Sequence, residues 1–155
     1  MKKAIQLKMF GVSEIELIYK SKVPASLRTK ITCSRDCYNL LKENWNSDSL
    51  EFFEEFKVLL INRSNAILGI LPLSKGGISG TVTDTRIIMA AALKANASGL
   101  IVAHNHPSGN LNPSESDNRI TQKIKEAGNI MDIQLLDHLI ITQGGYFSFA
   151  DEGLL

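Results

Sequence analysis

Four apolar residues, Leu100-Ile101-Val102-Ala103, run without a break into His104-Asn105-His106-Pro107. A continuous apolar run of that length is the pattern of a strand covered on both faces. Such a strand needs a packed layer on each side, so the run predicts an α/β protein with this strand inside the sheet. Pro107 lacks an N–H and helps to end the ladder. A polar cluster directly beyond a buried strand lies where open α/β sheets place their sites.

The flanking elements follow from local pattern. Phe56 to Ile61 and Ala66 to Leu73 are apolar runs on either side of Asn62-Arg63-Ser64-Asn65, which predicts a hairpin. Gly76, Gly77 and Gly80 punctuate a loop. Thr83 is the expected N-cap of the next helix, with Asp84 in its first turn. Ile87, Ile88, Ala91, Ala92 and Ala95 form its expected buried stripe, and Gly99 ends it. Nearer the N-terminus, Ser13 to Tyr19 alternates as a half-buried strand does. Val23-Pro24-Ala25-Ser26 interrupts regular structure. Ser34 then caps a helix that places Cys37, Leu40 and Leu41 on one face and continues to Trp45, a packing residue. At 155 residues the chain suits one domain with a real core. The expected division is an N-terminal strand and helix extension, residues 1–50, packed on the same domain as residues 51–155.

Beyond His106, Asn112 and Glu115 have capping-box spacing, Pro113 fits the first helical position, and Gly128 closes the helix. Ser114 and Asp117 share a face with Ile120 and Ile124. The stripe that should press on the sheet therefore begins with a carboxylate, which needs a cation or several donors if it points inward. Taken singly, a His-X-His at a strand end reads as structural or solvated, and Asp117 as a charge favoured by the helix dipole. Convergence across a short loop changes that reading. His104 and His106 are two apart and point to one side in extended backbone. Two imidazoles and one carboxylate are a three-ligand set for catalytic zinc, with the fourth position left for water. Asn105 then points away from the metal, and Ser108 and Gly109 shape the ligand loop.

Composition excludes other classes. With 44% hydrophobic and 21% charged residues the chain is globular, and its apolar runs stay far below the roughly 18 residues of a membrane span. The N-terminus starts basic, but Gln6 and Lys8 break its apolar stretch and no cleavage site follows, so a cytoplasmic protein is expected. Cys33 and Cys37, the only two cysteines, read as reduced and structural. A net charge of +1 gives no support to nucleic-acid binding.

His104-Asn105-His106-Pro107 followed by Ser114-Glu115-Ser116-Asp117 resembles the JAMM motif of the JAB/MPN metalloprotease domain. The version His-Asn-His-Pro-Ser-Gly, with Leu136-Asp137-His138-Leu139-Ile140-Ile141 downstream, is similar to its bacterial RadC branch. The resemblance covers approximately Glu54 to Gly153. It implies a three-layer α/β/α sandwich with a mixed sheet, the cytidine-deaminase-like JAB/MPN architecture. It also implies that His104, His106 and Asp117 hold zinc, that a glutamate from an earlier strand is the general base, and that Ser114 donates to the developing oxyanion. The resemblance implies a base about eight residues before the turn asparagine, which counted back from Asn62 is Glu54. Glu55 is its rival, because strand alternation puts the two on opposite faces. Asp137 and His138 are a pair behind the metal ligands, an extra part of the substrate cleft, or a polar pair at the entrance of the strand from Leu139 to Thr142.

Shared architecture makes a nucleobase deaminase a competitor, but deaminases use His-X-Glu and Pro-Cys-X-X-Cys, which this chain lacks. The expected activity is zinc-dependent hydrolysis of a peptide or isopeptide bond in a protein or peptide substrate. The alternative is a DNA repair or recombination accessory in which the fold is a binding module.

Overall fold

The computed structural model describes residues 16, 18–76 and 82–155. Strand β1 (Glu55–Ile61) turns through Asn62–Asn65 into β2 (Ile67–Lys75), giving the expected antiparallel hairpin. Asparagines make this turn for a physical reason. The Asn62 side-chain carbonyl accepts from the N–H groups of Ser64 and Ala66, and Asn65 sits at φ 57°, a region asparagine tolerates.

Strand β3 (Gly99–Asn105) is buried at every residue. It runs antiparallel to β1 and parallel to β4 (Gln134–Ile141), and β5 (Tyr146–Ser148) closes the far edge, giving the mixed order β2-β1-β3-β4-β5. Helix α1 (Ser34–Glu43) covers one face, where Cys37, Tyr38 and Leu41 pack with Leu59, Ile101 and Leu139. Helices α2 (Thr85–Lys94) and α3 (Glu115–Ile130) cover the other, where Ile88, Ala92 and Ile124 meet Val58, Leu100 and Val102. This is the three-layer α/β/α sandwich of the JAB/MPN type, with β3 as the doubly covered strand its sequence demanded. No helix of the described residues is long and apolar enough to cross a membrane.

The helix starts differ from the sequence reading. Cys33, not Ser34, occupies the N-cap position of α1. The Ser34 hydroxyl instead donates to Asp151 at 2.6 Å, and Asp36 takes the Thr32 N–H at 3.0 Å. Trp45 lies beyond the end of α1 and reaches the core from the following loop. In α2 the N-cap is Asp84, which accepts from the Arg86 N–H, and Thr83 lies outside the helix. Its buried face is Thr85, Ile88, Met89 and Ala92, whereas Ile87 is 52% exposed. The helix ends at Lys94, and Asn96 at φ 53° follows it, so Gly99 is free to begin β3. Of the expected strand from Ser13 to Tyr19, residues Glu16, Ile18 and Tyr19 have no regular structure and the rest lies outside the described residues, as do Gly77 and Gly80.

One irregularity decides what β4 shows to each face. Leu100 pairs with Leu135, but Ile101 pairs with Asp137, so Leu136 is an extra residue. An extra residue exchanges the faces of everything after it. Asp137, Leu139 and Ile141 consequently point towards α1, and His138 points towards α3.

Candidate metal centre

The first turn of α3 was expected to be capped by Asn112. The cap is Ser114, and its partner is Asp117, not Glu115, so Pro113 precedes the cap, and the helix runs past Gly128 to Ile130. The Ser114 hydroxyl accepts from the Asp117 N–H at 3.1 Å. The Asp117 Oδ2 accepts from the Ser114 N–H and hydroxyl, each at 2.7 Å. This is a reciprocal capping box with aspartate in the place of the usual glutamate. The same residues that start the helix thus orient its carboxylate, holding Oδ2 and leaving Oδ1 facing His104.

His104 Nε2 lies 3.1 Å from Asp117 Oδ1, and His106 Nε2 lies 3.5 Å from Oδ2. The two Nε2 atoms are 2.9 Å apart. The ligand atoms of His104, His106 and Asp117 all fall within 4.8 Å of one another. The other nitrogen of each ring is occupied. His106 Nδ1 is 2.6 Å from the Asn110 carbonyl, which can only accept, so this nitrogen carries the proton. His104 Nδ1 is 2.8 Å from His138 Nε2. A neutral imidazole protonated at Nδ1 offers a lone pair at Nε2. Lone pairs and a carboxylate pointed at a common position repel without a proton or a cation between them. The donor set therefore fits a divalent cation of the zinc class.

In the metal-free protein, protons on the histidines take the place of the cation. Burial pushes the Asp117 carboxyl upward, but hydrogen bonds from His104 and His106 outweigh it and hold it well below the ordinary carboxylate range. The bond to Asp117 raises His106 above its usual value against the effect of its burial. Burial drives His138, which has 0% exposure, well below the usual value.

The two glutamates separate cleanly. Glu54, just before β1, is half-buried, and burial raises its carboxyl while the charges of His104 and His106 draw it down and that of Asp117 raises it further. It therefore lies within electrostatic reach of the three ligand residues. Glu55 faces the opposite way, with its carboxylate 3.5 Å from Lys57 Nζ and 3.8 Å from Lys75 Nζ. Asp137 and His138 also part company. His138 stands behind His104, whereas Asp137 receives the N–H groups of His138 and Ala150 and the Ser148 hydroxyl, away from the cluster. Asp137 thus shapes the chain around β5.

Two residues around the centre have roles that the sequence does not announce. Asn105 does point away from the histidines, and it clamps the segment carrying Glu54. Its Oδ1 accepts from the Glu55 N–H at 2.7 Å, and its Nδ2 donates to the Leu50 and Phe53 carbonyls at 2.7 and 2.9 Å. Thr121, one helical turn after Asp117, contacts His138 Nδ1 at 2.6 Å. Its four-residue spacing from Asp117 on the inward face was the available signal. Phe56 stacks parallel to the His104 ring at 6.0 Å, closing the apolar side of the cluster.

Comparison with known proteins fits this geometry. The family model described as "RadC-like JAB domain" matches residues 31–154, which includes α1 as well as the stretch from Glu54. A "UPF0758 protein" of Flavobacterium johnsoniae is 45% identical over 144 residues, covering 92% of this chain and 62% of that protein. One from Porphyromonas gingivalis is 52% identical over 103 residues, covering 66% and 45% respectively. One from Clostridium beijerinckii is 40% identical over 126 residues, covering 81% and 54%. The chain thus spans between 45% and 62% of the length of these relatives.

Proposed function

This chain belongs to the RadC-like JAB domain family, and on that premise we propose that it is a zinc-dependent hydrolase cleaving a peptide or isopeptide bond. The observation that carries the reading is the convergence of two Nε2 lone pairs and the Asp117 carboxylate, with Glu54 in electrostatic reach. Zinc held by His104, His106 and Asp117 would lower the pKa of a water at the open position and polarise the scissile carbonyl. Glu54 accepts the proton of the attacking water at its carboxylate and delivers it to the leaving nitrogen. Its upward shift by burial suits both halves of that task, since an acid must be regenerated for the second. The Ser114 hydroxyl turns from Asp117 Oδ2 to the developing oxyanion, while the Ser114 N–H keeps the carboxylate in place. A protein or peptide is the substrate class that this chemistry serves. The near-neutral charge gives no comparable support to a DNA-binding accessory.

Metal analysis and a matched pair of variants test the reading. Purified protein is expected to carry about one zinc per chain. His106→Ala should lower zinc affinity by more than the roughly 10–100-fold that loss of an outer partner costs. Glu54→Gln should keep the metal and lose hydrolysis. A wild-type chain without metal affinity sinks the centre, and full hydrolysis in Glu54→Gln sinks the base. Salt-sensitive DNA binding that survives His106→Ala would favour the binding-module alternative.

A further inference from the structure

Thr121 is 4% exposed and His138 0% exposed, and together they form a chain of contacts that the reaction above does not use. The Thr121 hydroxyl lies 2.6 Å from the Asp117 main-chain carbonyl and 2.6 Å from His138 Nδ1. His138 Nε2 in turn lies 2.8 Å from His104 Nδ1. Counting protons along this path leaves one arrangement that satisfies every contact. A carbonyl only accepts, so the single Thr121 proton goes to Asp117 and Thr121 must accept from His138 Nδ1–H. His138 is enclosed, stacked on Phe149 at 4.8 Å, and no carboxylate reaches its ring among the described residues, so it stays neutral. Its Nε2 then bears a lone pair and must accept from His104 Nδ1–H. When His104 is neutral, its lone pair is then on Nε2, the atom aimed at His106 and Asp117.

We propose that Thr121 and His138 are positioning residues which lock His104 in the one neutral tautomer able to ligate a cation. The lock is anchored on the main chain of Asp117, a second ligand. The inference rests on the metal-centre reading. It adds that the helix-borne ligand sets the proton position of the strand-borne one, so the two halves of the centre are not independent. Deleting the Thr121 hydroxyl removes the acceptor for His138 Nδ1–H among the described residues. His138 is then free to change tautomer and to offer His104 a proton instead of a lone pair.

Nitrogen-15 NMR of the imidazoles, recorded on purified protein before and after chelation, reads the proton positions directly. The chelated wild type, at a pH where His104 is neutral, should show that ring protonated at Nδ1 and bare at Nε2. Thr121→Val should show mixed His104 tautomers and a zinc affinity lower by roughly 10–100-fold, the usual cost of an outer partner. Thr121→Ser should restore both. A neutral His104 protonated at Nε2 instead of Nδ1 in the chelated wild type overturns the proposal, and this reading needs no folded variant. So does a Thr121→Val protein with wild-type tautomers and wild-type affinity. A wild type that binds no zinc but shows the fixed Nδ1–H tautomer leaves the relay standing and defeats only the metal centre.

Discussion

His104 and Asn105 are neighbours at the end of β3, both buried, and they face opposite sides of the sheet. Asn105 uses its carbonyl and both amide hydrogens on main-chain partners and needs nothing further. His104 satisfies Nδ1 within the protein and presents Nε2 to another Nε2 and a carboxylate. Burial is therefore not what distinguishes function from scaffold here. The side whose hydrogen bonds close is structural, and the side whose acceptors converge without a donor is chemical. Yet the closed side serves the open one, because Asn105 grips the main chain at Phe53 and Glu55 on either side of Glu54.

The sharpest way to break this contrast is Asn105→Ala. It would leave the Leu50 and Phe53 carbonyls and the Glu55 N–H without partners, and at roughly 1–3 kcal/mol for each buried group the loss should exceed about 3 kcal/mol. Denaturant unfolding measures that loss. Zinc titration of the folded fraction should show the metal retained while hydrolysis falls, and loss of both together would remove the distinction between the two faces.

A smaller effect belongs to the face of α3. Gly128 lies in its last turn, where a Cβ would stand 2.2 Å from the Ile133 carbonyl oxygen, a main-chain atom with little room to yield. Gly128→Ala should cost about 1–3 kcal/mol and leave zinc affinity unchanged, since the ligands sit at the other end of the helix. Thermal unfolding with and without zinc separates the two quantities.

The smallest effect should be a pH dependence. In chelated protein the folded state raises His106 above its ordinary value through Asp117. That contribution is complete below the unfolded value of about 6.5 and disappears as pH rises through the higher folded value. The thermal midpoint of the chelated protein should therefore lose part of its stability on that interval. Zinc affinity should move the opposite way, because the ligand is the neutral ring. If both rise together, His106 is not paired with Asp117 in the metal-free state.

Much of the architecture was legible because it depends on runs of apolar residues. The hairpin, the doubly buried β3 and the inward stripe of α3 each follow from a period that burial enforces. Helix starts were less legible, since several adjacent polar residues can cap and packing chooses among them. Asn112 with Glu115 had the usual spacing, but Ser114 with Asp117 took the cap because Asp117 must also face the sheet. Met89 displaced Ile87 from the buried face of α2, a choice that two apolar residues at neighbouring positions do not announce. The separation of Asp137 from His138 depends on the extra residue Leu136, and nothing in an apolar run marks where pairing will slip. The metal ligands stood out because their chemistry is unusual in a core, whereas Asn105 and Thr121 are ordinary residues whose roles arise from what they touch.

The chain contains three histidines, and the fold gathers all of them into one cluster. Two of the rings lie nearly parallel to phenylalanines, His104 at 6° to Phe56 and His138 at 11° to Phe149, while His106 forms no stack with a phenylalanine among the described residues. Ring currents should separate the three imidazole signals, and no histidine elsewhere in the chain adds to them. Occupancy, protonation and ligand exchange can each be followed as the movement of a few isolated resonances.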